Sequence, residues 1–314
     1  MKKAIIISLK GKKLSYIEKR IIKEQKPWGI ILFKRNIANL KQIRNLISDI
    51  KKTSNDKKFP ILIDEEGGTV SRLRYVINFK NYSQKYFGDL FDKNKKNEFL
   101  NYKKNLIKVI NLLKNIKINI NTVPVLDLLD TNTSKIIGSR SFSKNINTIR
   151  KLGKLCVSQF KKNRISCVIK HIPGHGCANQ DSHKILPVVQ KKSFLLEKED
   201  FKCFKNVNSH FAMTAHILYK DIDSKNCATL SKKVINSVIR KKIGFKGILI
   251  SDDISMKALK GDIIKNSINA LNAGCNLVLY CAGNSKASLR LCRNLPYIDK
   301  FTQKKTSQFY KFLR

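Results

Sequence analysis

Ser166-Cys167-Val168-Ile169-Lys170-His171-Ile172-Pro173-Gly174-His175-Gly176 is the stretch from which the fold can be read. Its first four residues form a short apolar, β-branched run of the kind that makes a buried strand. The chain then turns polar, and Pro173, Gly174 and Gly176 forbid a regular helix or strand beyond it. Runs like this one recur at 4–8, 29–33, 60–64, 118–125, 167–170, 211–216, 247–251 and 276–280. Between them lie amphipathic helical patterns at 15–26, 40–52, 95–116, 146–162, 198–207, 231–242, 263–273 and 285–294. Strands alternating with helices build a parallel sheet. Eight repeats predict an α/β fold, a single-domain (β/α)8 TIM barrel. An open doubly wound sheet shares the alternation, and only the count of eight selects closure. The connection 74–94 is the least regular part and reads as a loop over the barrel rim. The basic, partly aromatic segment 303–314 is open between a docked last helix and a loose end.

Composition sets the outer bounds. The 314 residues carry a formal net charge of +42, and 42% of them are hydrophobic, enough for a sizeable core. A charge of that size ordinarily points to nucleic acid or an anionic membrane. Here the lysines are spread along the whole chain among Asn and Ile, which reads as a solvated basic surface rather than a nucleic-acid face. The eight cysteines form no CxxC pair and several lie in apolar runs, as buried reduced thiols do. Met1–Leu9 begins like a signal peptide, but Lys10, Lys12 and Lys13 cut the apolar run short. No segment has the length and apolarity to span a bilayer. A cytoplasmic protein is the expectation.

Barrel active sites form at the C-terminal ends of the strands. Unusual polar residues gather there: Asp64-Glu65-Glu66-Gly67-Gly68 after the third run, Lys170-His171 after the fifth, His216 after the sixth and Ser251-Asp252-Asp253 after the seventh. Either acidic group alone reads as an acidic turn or a helix N-cap. Four strand ends together are hard to explain by structure alone. Asp252 suits a carboxylate nucleophile at a carbon bearing a leaving group. His183 suits the group that protonates the leaving group and then deprotonates water, with Asp181 two residues earlier orienting its imidazole. Lys170, His171, Asp64 and Arg72 would supply donors and acceptors for sugar hydroxyls. His175, His216, Asp253 and Met256 read as structural residues.

These residues resemble a known family. Lys170-His171-Ile172-Pro173-Gly174-His175-Gly176 with Asp181-Ser182-His183, Asp64-Glu65-Glu66-Gly67-Gly68, Gly138-Ser139-Arg140-Ser141-Phe142 and Ser251-Asp252-Asp253-Ile254-Ser255-Met256 look like the β-N-acetylhexosaminidases of glycoside hydrolase family 3, the NagZ type. The resemblance implies a TIM-barrel catalytic domain, placed at 1–302, with 303–314 as a basic C-terminal tail. It implies Asp252 as the nucleophile of a retaining mechanism, and His183 as acid/base with Asp181 as its dyad partner. Asp64, Arg72, Arg140, Lys170 and His171 would bind the terminal N-acetylglucosamine. The implied reaction is removal of that sugar from the 1,6-anhydro-N-acetylmuramic acid of muropeptides in cell-wall recycling in the cytoplasm. The expected partner is thus a carbohydrate substrate, with no specific nucleic acid, no membrane, no cofactor and no metal, and the chain is expected to act as a monomer. Three departures touch the finer contacts: Thr69 where the family often has arginine, Glu65 where glutamine is common, and Cys177 in place of a frequent acidic or basic residue.

Two other chemistries use the same residues. A neutral His183 does not repel an incoming anion, so phosphate in place of water would make the chain a retaining phosphorylase. His171, His175, Cys177, Asp181 and His183 are all possible zinc ligands. Their spacing matches no familiar zinc module, and Lys170 beside His171 disfavours a cation. A basic nucleic-acid-binding protein, the non-enzyme reading, explains the charge but leaves the acidic strand ends unused.

Overall fold

A strand buried on both faces of a parallel sheet reads as a near-continuous apolar run, and the runs above become such strands. The computed structural model describes residues 1–130, 133–182 and 184–314, so the expected site residue His183 lies outside the described residues. Its strands are β1 (Lys3–Ser8), β2 (Pro27–Leu32), β3 (Ile61–Ile63), β4 (Ile120–Asn121), β5 (Ser166–Ile172), β6 (Val188–Val189), β7 (Phe211–Thr214), β8 (Leu218–Tyr219), β9 (Ile248–Asp253) and β10 (Leu277–Tyr280). Eight of them close into a barrel in the order β1-β10-β9-β7-β5-β4-β3-β2. Every neighbouring pair is parallel, and Ile5 beside Val278 marks the seam where β1 meets β10. The expected (β/α)8 TIM barrel is the fold observed, and the open-sheet alternative falls with that closure.

The pleat divides each strand between two cores. Ile6, Ile31, Leu62, Val168, Met213, Ile250 and Leu279 belong to an inner cluster that fills the barrel. Ile5, Ile7, Ile30, Ile61, Ile169, Leu249 and Val278 belong to an outer cluster shared with the helices. At the N-terminal end the inner core is closed by the chain's last helix, Lys300–Phe312. Phe309 is fully buried there, its ring centroid 5.2 Å from that of Phe211, and Trp28 Nε1 donates to Thr306 Oγ1 at 2.9 Å. Most of the segment 303–314 therefore lies in a docked helix.

Four expected elements differ. The fourth run, predicted over 118–125, pairs only at Ile120–Asn121 and again as a bridge from Val125 to Lys170. Pro124 has no N–H for the ladder between them. The fifth strand is longer than the expected 167–170, so His171 is a strand residue rather than a loop residue. The connection 74–94 contains a helix, Gln84–Lys93, capped by the Ser83 side chain accepting from Tyr86 N. In place of the helix predicted over 198–207 stand a short helix, Ser193–Lys198, and a 3-10 turn, Asp200–Phe204, which drops Phe201 and Phe204 into the core.

Candidate active site

Strand ends carry the polar residues to one place. Asp64 follows β3, Lys170 and His171 sit in the last part of β5, and Asp252 and Asp253 end β9. They line a cavity of about 310 Å³ with Phe33, Arg72, Arg140, Met213, Met256 and Cys281. In the eight-strand ring β9 lies four places from β3, so Asp252 faces Asp64 from the opposite wall of the barrel mouth. Larger hollows exist, one of about 580 Å³ around His210 at the other end of the barrel, but its described lining carries no carboxylate.

A mesh of charge fixes the β3 and β5 side. Lys170, with 3% of its side chain exposed, donates to Asp64 Oδ1 at 3.1 Å and contacts Glu66 Oε1 at 2.6 Å. Thr122 shares that ammonium at 3.0 Å and bonds Asp64 Oδ1 as well. Arg72 reaches Asp64 Oδ2 at 3.1 Å, and Arg140 clasps both oxygens of Glu66 at 2.8 and 3.0 Å. Burial alone would push these carboxyls up, yet the flanking cations hold Asp64 far below the usual carboxylate range and Glu66 down at about 2. Both are anions at any working pH. Charge-assisted bonds of this kind lock side chains into one geometry. Asp64 and the cations beside it thus form a preset wall of hydrogen-bond acceptors and donors.

His171 is held from behind. Its Nδ1 lies 2.6 Å from Asp127 Oδ2, and its backbone N–H donates to Asp127 Oδ1 at 3.1 Å. Burial opposes the charge on Asp127, but His171 and the backbone donors keep it below its ordinary value. An ionised carboxylate only accepts, so Nδ1 carries the proton and Nε2 is the acceptor facing Arg140 Nη2 at 3.4 Å.

On the opposite wall, Asp252 Oδ1 accepts the Asp253 N–H at 2.8 Å, and Asp252 N donates to Thr214 Oγ1 at 3.3 Å. The neighbouring Asp253 carboxylate is taken up locally by Ser255 N, Ser255 Oγ and Cys281 N. His216 is wholly buried between Thr229 Oγ1 and the Asp253 carbonyl, a strut between strand ends. Met256 is 7% exposed and forms part of the cavity wall.

The segment after β5 folds tightly against its neighbours. A Cβ at Gly176 would stand 1.9 Å from the Leu128 carbonyl, so only glycine admits that approach. His175 N donates to Asp127 Oδ1 at 2.7 Å, and the Asp181 carbonyl closes a turn by accepting from Lys184 N and Ile185 N. Among the described residues the cavity lining does not include Asp181. Of the residues weighed as zinc ligands, the structure gathers Cys177 instead with Glu199 and Asp200. The Lys191 ammonium already stands there, 3.7 Å from Cys177 Sγ and paired with Glu199.

Sequence reading left Glu66, Asp127 and Thr122 without roles. Asp127 had a visible signal, a lone acid closing the apolar run Val123-Pro124-Val125-Leu126 at a strand end. Glu66 had none, because its partners Arg140 and Lys170 stand 74 and 104 positions away.

A closed parallel barrel with an ionised carboxylate cluster at the C-terminal strand ends is an enzyme of the TIM-barrel class. The Glycosyl hydrolase family 3 N terminal domain matches residues 4–304, and the chain belongs to that family as a glycoside hydrolase of the β-hexosaminidase kind. A beta-hexosaminidase of Psychromonas ingrahamii is 30% identical over 98% of this chain and 88% of its own. One from Methylobacillus flagellatus is 31% identical over 93% and 84%. Among solved structures, NagZ from Neisseria gonorrhoeae in complex with N-trifluoroacetyl-D-glucosamine superposes with a TM-score of 0.88 at 26% identity, over 100% of this chain and 90% of that one. A family 3 β-N-acetylglucosaminidase of Paenibacillus gives 0.86 at 25% identity, this chain covering 60% of it.

Proposed function

We propose that the chain is a retaining β-N-acetylglucosaminidase that releases terminal N-acetylglucosamine from muropeptides in the cytoplasm, as part of peptidoglycan recycling. The observation that carries this reading is Asp252 facing the Asp64, Arg72, Arg140, Lys170 and His171 wall across a cavity of about 310 Å³. That volume lies at the small end of ligand pockets and suits one sugar ring. Residues 1–302 are read as the catalytic domain and 303–314 as its basic C-terminal segment, working as a monomer without cofactor. No described helix is long and apolar enough to cross a membrane.

In the first step the Asp252 carboxylate attacks the anomeric carbon as the bond to the leaving oxygen breaks. His183, oriented by Asp181, gives its proton to that oxygen. In the second step water loses a proton to His183, its oxygen attacks the same carbon, and the bond to Asp252 breaks. Two inversions leave the configuration retained. The roles of Asp181 and His183 rest on their motif and its family resemblance. Asp64 and the Lys170 and Arg72 cations are suited to grip hydroxyls during both steps, and His171 Nε2 and Arg140 offer an acceptor and donors beside them.

The test is turnover of a nitrophenyl N-acetyl-β-glucosaminide followed by proton NMR, with and without phosphate. Release of the β-anomer first supports a retaining hydrolase. Accumulation of a sugar 1-phosphate would make the chain a phosphorylase, and release of the α-anomer first would sink the covalent mechanism. Asp252→Ala should lower kcat/KM by about a thousandfold or more with an unchanged circular dichroism spectrum. A GlcNAc-anhydromuramyl peptide set against a chitin disaccharide distinguishes the proposed substrate from its nearest rival.

A further inference from the structure

Asp127 joins two parts of the molecule that the proposed mechanism needs in register. Its side chain is wholly buried. Oδ2 accepts from His171 Nδ1 at 2.6 Å, and Oδ1 accepts the backbone N–H groups of both His171 at 3.1 Å and His175 at 2.7 Å. His175 carries the contact onward. The residue is 3% exposed, and its Nε2 lies 3.3 Å from the hydroxyl of Ser182, itself 4% exposed. Ser182 is the residue between Asp181 and His183. An unbroken, water-excluded chain of bonds thus runs from the sugar-facing histidine of β5 to Ser182, next in sequence to Asp181.

The chemistry of His175 suits a strut rather than a proton carrier. Burial holds the ring down at about 4, so it stays neutral at working pH and presents one N–H and one lone pair. A proton donor misplaced by an ångström loses most of its effect on the leaving group.

We infer that His175 and Ser182 are positioning residues for proton transfer: the bond between His175 Nε2 and Ser182 Oγ fixes the backbone at Ser182, and with it Asp181, relative to the sugar held by His171. Neither touches substrate. The inference rests on the acid/base reading of Asp181 and His183 given above.

The test uses Ser182→Ala, which deletes only the hydroxyl, and His175→Ala, with His175→Gln as the conservative rescue. Kinetics are measured on N-acetyl-β-glucosaminides whose aryl and alkyl leaving groups span a wide range of acidity. With a highly activated leaving group, which needs no proton, kcat/KM of Ser182→Ala should stay within about threefold of the parent. With a poor leaving group it should fall by about tenfold or more. Because water must also be deprotonated, kcat on the activated substrate should fall, and added azide, an anion needing no base, should restore it with formation of the glycosyl azide. His175→Ala should behave alike and His175→Gln should recover part of the loss. Equal losses of kcat/KM across all leaving groups, or no response to azide, would overturn the assignment and leave the pair as packing. His183→Ala run in parallel separates the two layers. A steep leaving-group dependence there with a flat one in Ser182→Ala overturns the positioning role alone, whereas a flat one in both overturns the acid/base reading and the positioning role together.

Discussion

Glu65 is a buried carboxyl 2% exposed to solvent, with Oε2 accepting the backbone N–H groups of Arg72 and Leu73 at 2.8 Å each. It helps place Arg72, but among the described residues no cation pairs with it as Lys170 does with Asp64. Burial raises it to about 7 from an ordinary 4.5. The sign of the linkage follows. Below pH 4.5 the group is protonated folded and unfolded, and nothing is lost. Between 4.5 and 7 the unfolded chain ionises while the fold keeps its proton, so stability falls as pH rises. Above 7 the loss is complete, and a difference of 2.5 in pKa corresponds to about 3 kcal/mol. Glutamine, common here in the resembling family, keeps the acceptor and cannot ionise. Glu65→Gln should therefore gain stability over the parent as pH goes from 5 to 8, read by urea denaturation at both. A gain that is the same at both pH values would show that Glu65 does not titrate in this range. At this scale the site was half legible. Asp64, Lys170, His171 and Asp252 stand at strand ends, where position in the sequence fixes position in the barrel. Glu66 and Asp127 act through partners that topology alone brings near.

Helix Gln84–Lys93 shows why one element escaped the sequence reading. Its segment holds polar and aromatic residues with Gly88 in the middle, a residue that weakens an isolated helix by about 1 kcal/mol. What fixes it is tertiary. A Cβ at Gly88 would lie 1.8 Å from the Phe142 carbonyl, so the helix packs against the chain just beyond Arg140 as closely as a backbone allows. Gln84 then bonds the Val125 carbonyl at 2.9 Å and the Arg140 carbonyl at 2.5 Å, tying the helix to the strand end after β4 and to the arginine of the site. Gly88→Ala must push the two apart. The expected cost is about 1–3 kcal/mol, as for overpacked cores, together with a raised KM as Arg140 shifts. Thermal unfolding and steady-state kinetics check both, and an unchanged KM with a lowered melting temperature would separate the helix from the site. The eight barrel strands were legible for the opposite reason. Each is buried on both sides by the barrel itself, so its apolar run needs no distant partner to declare it, and the run at 118–125 was overread only where Pro124 interrupts the ladder.

At the scale of the whole molecule, a net charge of +42 on 314 residues is a large self-repulsion held in check by the two cores. The final helix illustrates the balance. It brings Lys300, Lys304, Lys305 and Lys311 to a barrel already basic, and it is retained by Phe309 against Phe211 and by Trp28 against Thr306. The site behaves differently from the surface. Its opposite charges touch at 2.6–3.1 Å and are screened from solvent, as the 3% exposure of Lys170 shows. Salt distinguishes the two. Raising ionic strength from about 0.01 to about 0.15 M shortens the screening length from about 30 to about 8 Å, which removes repulsion between scattered lysines but leaves contact pairs in a buried cluster nearly intact. The melting temperature should therefore rise with salt, while kcat on an uncharged glucosaminide stays constant. A carboxylate-bearing substrate should lose kcat/KM over the same range, because long-range steering is screened where local contacts are not. A melting temperature that falls with salt would mean that surface ion pairs, such as Arg20–Glu24 and Lys85–Asp89, outweigh the repulsion. Pairs of that kind contribute at most about 1 kcal/mol each, too little to offset an excess of basic over acidic residues this large.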